Sequence, residues 1–298
     1  MVGRFAPSPT GPLHLGSLRT ALAAWLFARA AGSRFLVRIE DLDPQRSRPE
    51  WEADQLDDLR ALGLDWDGAP ARQSERFALY EAALDALADA GRLYPCFCTR
   101  AEIRAAASAP HGELPEGAYP GTCRALSPAE RRRRLSAGER HALRVDAGAP
   151  RIEYRDALLG LQGMVVDDFV VRRADGVPAY QLAVVIDDAD QGVEQVVRGA
   201  DLADSTPRQI LLAGWLGLPV PTYAHVGLVL GPDGARLAKR HGAATLADRE
   251  EPAGETLALL AHSLGLGLGR EHVGAPGELL DAFDPAALPA GPVTLGAR

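Results

Sequence analysis

What this 298-residue sequence lacks narrows its possibilities first. No stretch approaches the ~18 uninterrupted apolar residues of a membrane-spanning helix, so a soluble chain is expected. Met1 to Thr10 hold an arginine, a phenylalanine and two prolines where a secretory signal would place a basic segment and then an apolar one. A cytoplasmic location follows as the expectation. Cysteine is scarce at three residues, an odd number that argues against a disulfide framework. Positive charge is also in short supply, and a net charge of -8 argues against broad phosphate binding. No internal repeat is present. The rest is ordinary for a globular protein: 47% hydrophobic and 24% charged residues exclude disorder, and the length suits one large domain or two interleaved ones.

The total charge hides an asymmetry. Between Cys96 and Val145 stand nine arginines, no lysine and five glutamates, a net of +4 on an acidic body. Two readings stay open: an oriented contact with nucleic acid, or a solvated Arg-rich helix face.

Pattern and punctuation give a coarse order of elements. Phe5 to Leu15 carries three prolines and Gly11, too broken for a helix, and leads into Leu22, Trp25 and Leu26 at helical spacing. Ser17 is expected to cap that helix, with Gly32 just past its end. Arg34 to Ile39 alternates as a strand, so strand, helix and strand predict a parallel crossover and an α/β sheet. Capping boxes are expected at Thr99 with Glu102 and at Ser127 with Glu130. Between them, Ser108 to Gly121 is a Pro- and Gly-rich loop, and residues 96–145 together read as an insertion. Val165 to Arg172, Ala183 to Asp187 and Val226 to Leu230 are expected strands, with a turn at Gly176 and Pro178 and a helix from Thr206-Pro207 through Trp215. A turn at 231–234 leads to a basic loop, and the last fifty residues are expected to be helical around Leu257 to Leu264 and Leu279 to Phe283.

Two segments hold the chemistry. The loop Pro7-Ser8-Pro9-Thr10-Gly11-Pro12-Leu13-His14-Leu15-Gly16-Ser17 ends at a helix N-terminus, where unpaired N–H groups and the helix dipole favour an anion. His14 adds a donor and Gly16 permits close approach, although on this pattern alone a structural His in a turn is the better reading. The second segment is Leu230-Gly231-Pro232-Asp233-Gly234-Ala235-Arg236-Leu237-Ala238-Lys239-Arg240-His241-Gly242. The cysteines form a third group, Cys96-Phe97-Cys98 and Cys123. Spacing alone leaves both structural zinc and buried free thiols open, with His111 the natural fourth ligand by chemistry.

Together the two segments resemble the paired HIGH and KMSKS motifs of class I aminoacyl-tRNA synthetases of the glutamate type. Arg4-Phe5-Ala6-Pro7-Ser8-Pro9-Thr10-Gly11, Arg38-Ile39-Glu40-Asp41-Leu42-Asp43 and Val197-Arg198-Gly199-Ala200-Asp201 strengthen the likeness. It departs from the pattern at Ser17, where the second His of HIGH would stand, and at Ala238, where KMSKS has serine. The resemblance implies a Rossmann-type catalytic domain that joins glutamate to AMP through attack of the amino-acid carboxylate on the α-phosphate of ATP. It implies His14 and Lys239 as catalytic groups, with Gly16 and Ser17 completing the ATP site and Mg2+ held mainly by ATP. Glutamate carries two carboxylates and one ammonium, so a selective pocket needs cations and an anion. The matching positions are Arg4 with Phe5, Ala6, Pro7 and Ser8, then Tyr180 and Arg198 for the carboxylates and Glu40 for the amine.

Tyr-Pro-Cys-Phe-Cys, Tyr-Pro-Gly-Thr-Cys-Arg and Tyr180 to Ala189 resemble the glutamyl-queuosine tRNA(Asp) synthetase group, in which glutamate is esterified to the queuosine diol at the wobble position. That likeness implies one structural zinc on Cys96, Cys98, Tyr119 and Cys123, and an anticodon stem-loop of tRNA(Asp) as macromolecular partner of a monomer. About sixty residues follow Gly242, too few for an anticodon-binding domain. The expected division is 1–95 and 146–245 as the two Rossmann-type halves, 96–145 as a zinc-bearing basic insertion, and 246–298 as a short helical region. The rivals are a short synthetase charging a tRNA 3′ end and a non-catalytic tRNA-binding paralogue.

Overall fold

The computed structural model describes residues 1–99, 101–103, 118–231, 233–235, 237, 245–266 and 272–295. The strands are β1 (Gly3–Phe5), β2 (Phe35–Ile39), β3 (Ala71–Arg72), β4 (Leu93–Cys96), β5 (Ala142–Val145), β6 (Arg151–Asp156), β7 (Gly160–Val165), β8 (Val170–Arg172), β9 (Gln195–Gly199), β10 (Thr222–Val226), β11 (Val229–Leu230) and β12 (Val293–Thr294). The helices are α1 (Leu15–Ala30), α2 (Pro49–Ala61), α3 (Phe77–Asp89), α4 (Pro128–Ser136), α5 (Tyr180–Asp190), α6 (Thr206–Leu216) and α7 (Ala253–Ser263).

Seven strands form the main sheet in the order β3-β2-β1-β9-β10-β6-β7. All neighbours in it run parallel except the terminal β6–β7 hairpin. The expected α/β class with a mostly parallel sheet is what the chain adopts. Successive strands 1, 2 and 3 march one way from the centre and β9 and β10 the other, so the order reverses between β1 and β9. In open parallel sheets such a reversal leaves a crevice at the carboxyl ends of the strands.

Alternation along the central strands sorts side chains by face. Phe5, Val37, Ile39, Val197, Ala224 and Val226 join α1 in the larger apolar cluster. Arg4, Arg38, Arg198 and His225 point the other way, into the side on which α5 lies. On the apolar face α1 is buried over much of its length. Its alanines permit close approach, and a Cβ on Gly3 would sit 3.2 Å from Ala28 Cβ. Leu18, Leu22 and Leu26 are fully buried there, each worth roughly 1.5–3 kcal/mol of burial. Arg19 is also fully buried on α1. It holds the Gly227 carbonyl at 2.7 Å and Ser263 Oγ and O at 2.9 and 3.0 Å, and so ties α1 to β10's exit and to α7.

Several expectations need correction. Ala183 to Asp187, expected as a strand, lies inside α5. Leu182, Ala183, Val184 and Val185 are all buried, and an element buried on most sides loses the periodicity that separates helix from strand. Ser17 does not cap α1: the cap position is His14, and Ser17 N donates to His14 O at 2.8 Å from within the first turn. The helix begins earlier because its apolar face already starts at buried Leu15. The strand expected over Val226 to Leu230 is split into β10 and β11. Between them Gly227 lies so close to Gly291 that a Cβ would collide with its carbonyl oxygen. Val165 to Arg172 is likewise divided between β7 and β8. The box at Thr99 and Glu102 forms in both directions. At Ser127 only the Glu130 N–H bond forms among the described contacts, and the Glu130 carboxylate turns to Arg133. The α2 and α3 helices and the β6–β7 hairpin have no counterpart in the sequence reading.

The cysteine block begins at the end of β4 and leads back through β5, and β5 pairs with β4 on one side and with β8 on the other in a separate antiparallel sheet. The strand β11 pairs in parallel with β12.

Candidate active site

A cavity of about 640 Å³ opens at the reversal point of the sheet. It gathers Arg4, Phe5, Ala6, Pro7 and Ser8 from β1 and the chain after it, and His14, Gly16 and Ser17 from the start of α1. Glu40, Tyr180 and Arg198 come from β2's end, α5 and β9. Residues far apart in sequence thus reach one crevice because β1 and β9 are neighbours in the sheet. Lys239, with Arg236, Ala238 and Arg240, lies outside the described residues. Leu237, from the same segment, lines the cavity. An antiparallel bridge joins His14 to Thr245, bringing the chain beyond residue 244 to the first turn of α1.

The loop between β1 and α1 is held from α2. Buried Gln55 donates its amide N–H groups to the carbonyls of Ser8 and Gly11 at 3.0 and 2.7 Å. Gly16 faces Val229 of β11, where an added Cβ would lie at ordinary contact distance, 3.5 Å from the Val229 Cβ.

The floor of the cavity is charged. Arg4 Nε donates to Asp188 Oδ1 at 3.1 Å, and Arg38 Nη1 donates to the same oxygen at 2.6 Å. Arg38 also reaches Glu40 at 3.3 Å. Next to Asp188, Asp187 accepts from Gln73, Arg76 and Tyr80, and Arg38 Nε lies 3.7 Å from its Oδ2, so Arg38 sits between the two adjacent carboxylates of α5. Burial alone would raise the Asp188 carboxyl, but Arg38 and Arg4 hold it below the usual carboxylate range. Glu40 ends on the other side of that balance: burial raises it, and Arg38 and Arg4 offset this only in part. Tyr180 is raised by burial and by the Glu40 charge.

Arg198 is held differently. Its Nε donates to His225 Nε2 at 3.1 Å, its Nη2 to Thr206 Oγ1 at 2.7 Å and to Leu202 O at 3.3 Å, and its Nη1 to Tyr180 Oη at 3.4 Å. Every one of these acceptors is uncharged. Sequence reasoning missed Arg38, Asp188, Thr206 and His225. For Arg38 a signal exists, since a charged residue within a strand of a parallel sheet contradicts the apolar composition that burial on both faces favours, whereas Asp188 and Thr206 lie on helices and carry no such mark.

The cysteine block builds a second constellation. The sulfurs of Cys96, Cys98 and Cys123 lie within 4.8 Å of one another. Tyr119 Oη is 3.5 Å from both Cys96 and Cys98 Sγ, and Cys98 and Cys123 Sγ are 3.4 Å apart. Donors surround them: Arg144 Nε reaches Cys96 Sγ at 3.2 Å and Phe97 N reaches Cys123 Sγ at 3.3 Å. Three sulfurs and one phenol oxygen converging under such donors fit a tetrahedral ion with thiolate ligands. His111, the alternative fourth ligand, lies outside the described residues.

Comparison with known proteins agrees with this architecture. Residues 1–263 match the family model described as the catalytic domain of class I tRNA synthetases (E and Q). A Nocardia farcinica protein named glutamyl-Q tRNA(Asp) synthetase is 60% identical over 97% of this chain and 91% of its own length. A Symbiobacterium thermophilum protein of the same name is 51% identical over 100% of this chain and 97% of its own. Among solved structures, a glutamate tRNA ligase from Elizabethkingia meningosepticum, in complex with its amino acid, superposes with a TM-score of 0.85 at 28% identity. That superposition covers all of this chain and 67% of the other. Reversed sheet, charged crevice and sequence kinship converge: the chain belongs to the class I glutamyl- and glutaminyl-type tRNA synthetase catalytic-domain family.

Proposed function

We propose that the protein activates L-glutamate with ATP and transfers it to the queuosine diol at the wobble position of tRNA(Asp). The observation that carries the activation step is the charge pattern of one cavity. Buried Arg198 meets only neutral acceptors and offers a cation to a carboxylate, while Glu40 offers an anion to an ammonium. In water-poor surroundings such contacts discriminate strongly, because a neutral analogue leaves a buried charge without a partner. The relatives' shared name, glutamyl-Q tRNA(Asp) synthetase, supports the acceptor.

In the first step a carboxylate oxygen of glutamate attacks the α-phosphorus, the bond to the bridging oxygen breaks, and pyrophosphate leaves. In the second a diol hydroxyl attacks the carbonyl carbon and AMP departs. His14 and the first turn of α1, with Gly16 and Ser17, cradle the phosphates, and Lys239 neutralises charge as it develops. Mg2+ arrives with ATP. Arg4 and the backbone through Ser8 line the amino-acid side, and Tyr180 supplies a hydroxyl donor. Cys96, Cys98, Tyr119 and Cys123 would hold one zinc ion that organises the 96–145 insertion and takes no part in the chemistry. The arginines of α4 face a tRNA backbone on this reading. The main sheet is the Rossmann-type body in two halves, 1–95 and 146–245, followed by a short helical region. No helix among the described residues is long and apolar enough to cross a membrane; a cytoplasmic monomer is the proposal.

Two assays test this. Glutamate-dependent exchange between ATP and pyrophosphate should proceed, and its absence from folded protein would remove the enzyme reading. Labelled glutamate should pass to tRNA(Asp) that carries queuosine and not to tRNA(Asp) that lacks it. Labelling of tRNA(Glu) alone would overturn the acceptor.

A further inference from the structure

The cavity contains two buried arginines in opposite circumstances. Arg4 is satisfied by the Asp188 carboxylate. Arg198, only 5% exposed, has no carboxylate within ion-pair distance among the described residues, and the Asp156 carboxylate is linked to it only through a spacer. That spacer is His225, which is fully buried on β10. Its Nδ1 lies 2.6 Å from Asp156 Oδ2. Asp156 also accepts from the backbone N–H groups of His225, Leu158 and Leu159, and so it is fixed in place at the end of β6.

The tautomer follows from the partners. Arg198 Nε can only donate, so His225 Nε2 must present its lone pair, and the ring proton sits on Nδ1 facing Asp156. Tyr223 lies with its ring 8° from coplanar with His225, and Thr206 Oγ1, 3.3 Å from Nε2, can donate to the same lone pair. Burial would raise the Asp156 carboxyl, but the bond from His225 and those from Leu159 and Leu158 hold it low, so it remains the anion that this tautomer requires.

We propose that His225 is a specificity-determining positioning residue for the amino-acid substrate: it fixes the Arg198 guanidinium through a neutral acceptor and leaves its charge for a substrate carboxylate. A carboxylate in the same place would hold Arg198 equally well and cancel its charge. The Asp156 charge is therefore used one residue removed, to orient the imidazole rather than to pair with the cation. This inference rests on the reading of the cavity as a glutamate pocket.

The test is pyrophosphate exchange driven by L-glutamate or by L-glutamine, with wild-type protein and the variants H225E, H225Q and H225F, each checked for native circular dichroism and cooperative melting. H225E should raise KM for glutamate about a hundredfold, the size of one lost buried charge contact. It should leave KM for ATP within about twofold and lower the preference for glutamate over glutamine by a similar hundredfold. H225Q, whose amide oxygen can accept from Arg198, should stay within about threefold of wild type, and H225F should raise KM for glutamate about tenfold. Unchanged KM and preference in folded H225E would overturn the proposal, as would H225Q failing as badly as H225E. If H225E does not fold, the H225Q and H225F pair decides, and equal behaviour overturns it. Wild-type protein without glutamate-dependent exchange would remove the pocket reading itself; an active wild type with indifferent variants would remove only the role of His225.

Discussion

His14 and Thr245 pair as an antiparallel backbone bridge, so the start of α1 is joined to the chain that follows residue 244. Thr245 is buried, and its hydroxyl donates to Asp248 Oδ2 at 2.6 Å while Asp248 N donates back to that hydroxyl at 3.3 Å. The bridge thus has its own anchor, independent of anything bound in the cavity.

Loss of the anchor should be felt on the ATP side alone. Thr245→Ala removes a charge-assisted hydrogen bond worth roughly 1–2 kcal/mol locally. Steady-state exchange should show KM for ATP raised about five- to tenfold and KM for glutamate within about twofold. An unchanged KM for ATP would mean that the bridge does not hold the nucleotide side.

Lys239 is the only lysine in the sequence. Amine-selective acetylation above neutral pH therefore has one side-chain target besides the N-terminus. If Lys239 faces the phosphates, ATP should slow its modification severalfold, as read by peptide mass spectrometry, and exchange activity should fall in step with its acetylation. Equal modification with and without ATP contradicts that placement.

Glu40 gives a pH dependence with a defined sign. Burial raises its folded-state value, so the protonated form takes over at a higher pH than for an exposed glutamate. Only the anion attracts the substrate ammonium. KM for glutamate should rise as pH falls, beginning above the usual carboxylate range, while KM for ATP stays flat across the same interval. Glu40→Gln should have a high KM that no longer changes there, and a wild-type KM independent of pH would refute the role.

The sulfur cluster predicts a metal count. Native protein purified without chelator should carry about one zinc per chain by elemental analysis. Cys123→Ser should lose most of it, because a neutral hydroxyl replaces an anionic ligand. Chelation should lower the melting temperature of wild type and leave that of Cys123→Ser nearly unchanged. A metal-free native protein would leave the three thiols as packing only.

How much of this was legible beforehand depended on the length of the signal. The loop from Pro7 to Ser17, the strand at Arg34 to Ile39 and the helix at Thr206 are marked by local punctuation, and each is found within a few residues. Ala183 to Asp187 misled because its burial comes from tertiary neighbours, which erase the periodicity on which the reading depends. The positions of Arg4, Glu40 and Arg198 in one cavity were inferred from family likeness, and the sheet order supplies the physical reason. Asp156 and His225 were invisible for the opposite cause. Their meaning lies in a contact between β6 and β10, and no local pattern encodes the pairing of two strands so distant in sequence.

The central position of β1 has a consequence for biosynthesis. One edge of this strand is matched by β2 about thirty residues later, but the other waits for Gln195. At translation speeds of about 5–20 residues per second that edge stays open for on the order of ten to forty seconds. During this interval the nascent chain exposes the half of the crevice made of Arg4, His14 and Glu40 with an unpaired strand beside it, a template for wrong partners. The late arrival of β9 closes the edge and adds Arg198 to the crevice, and the lining is finished only when Gly227 to Val229 and Leu237 follow.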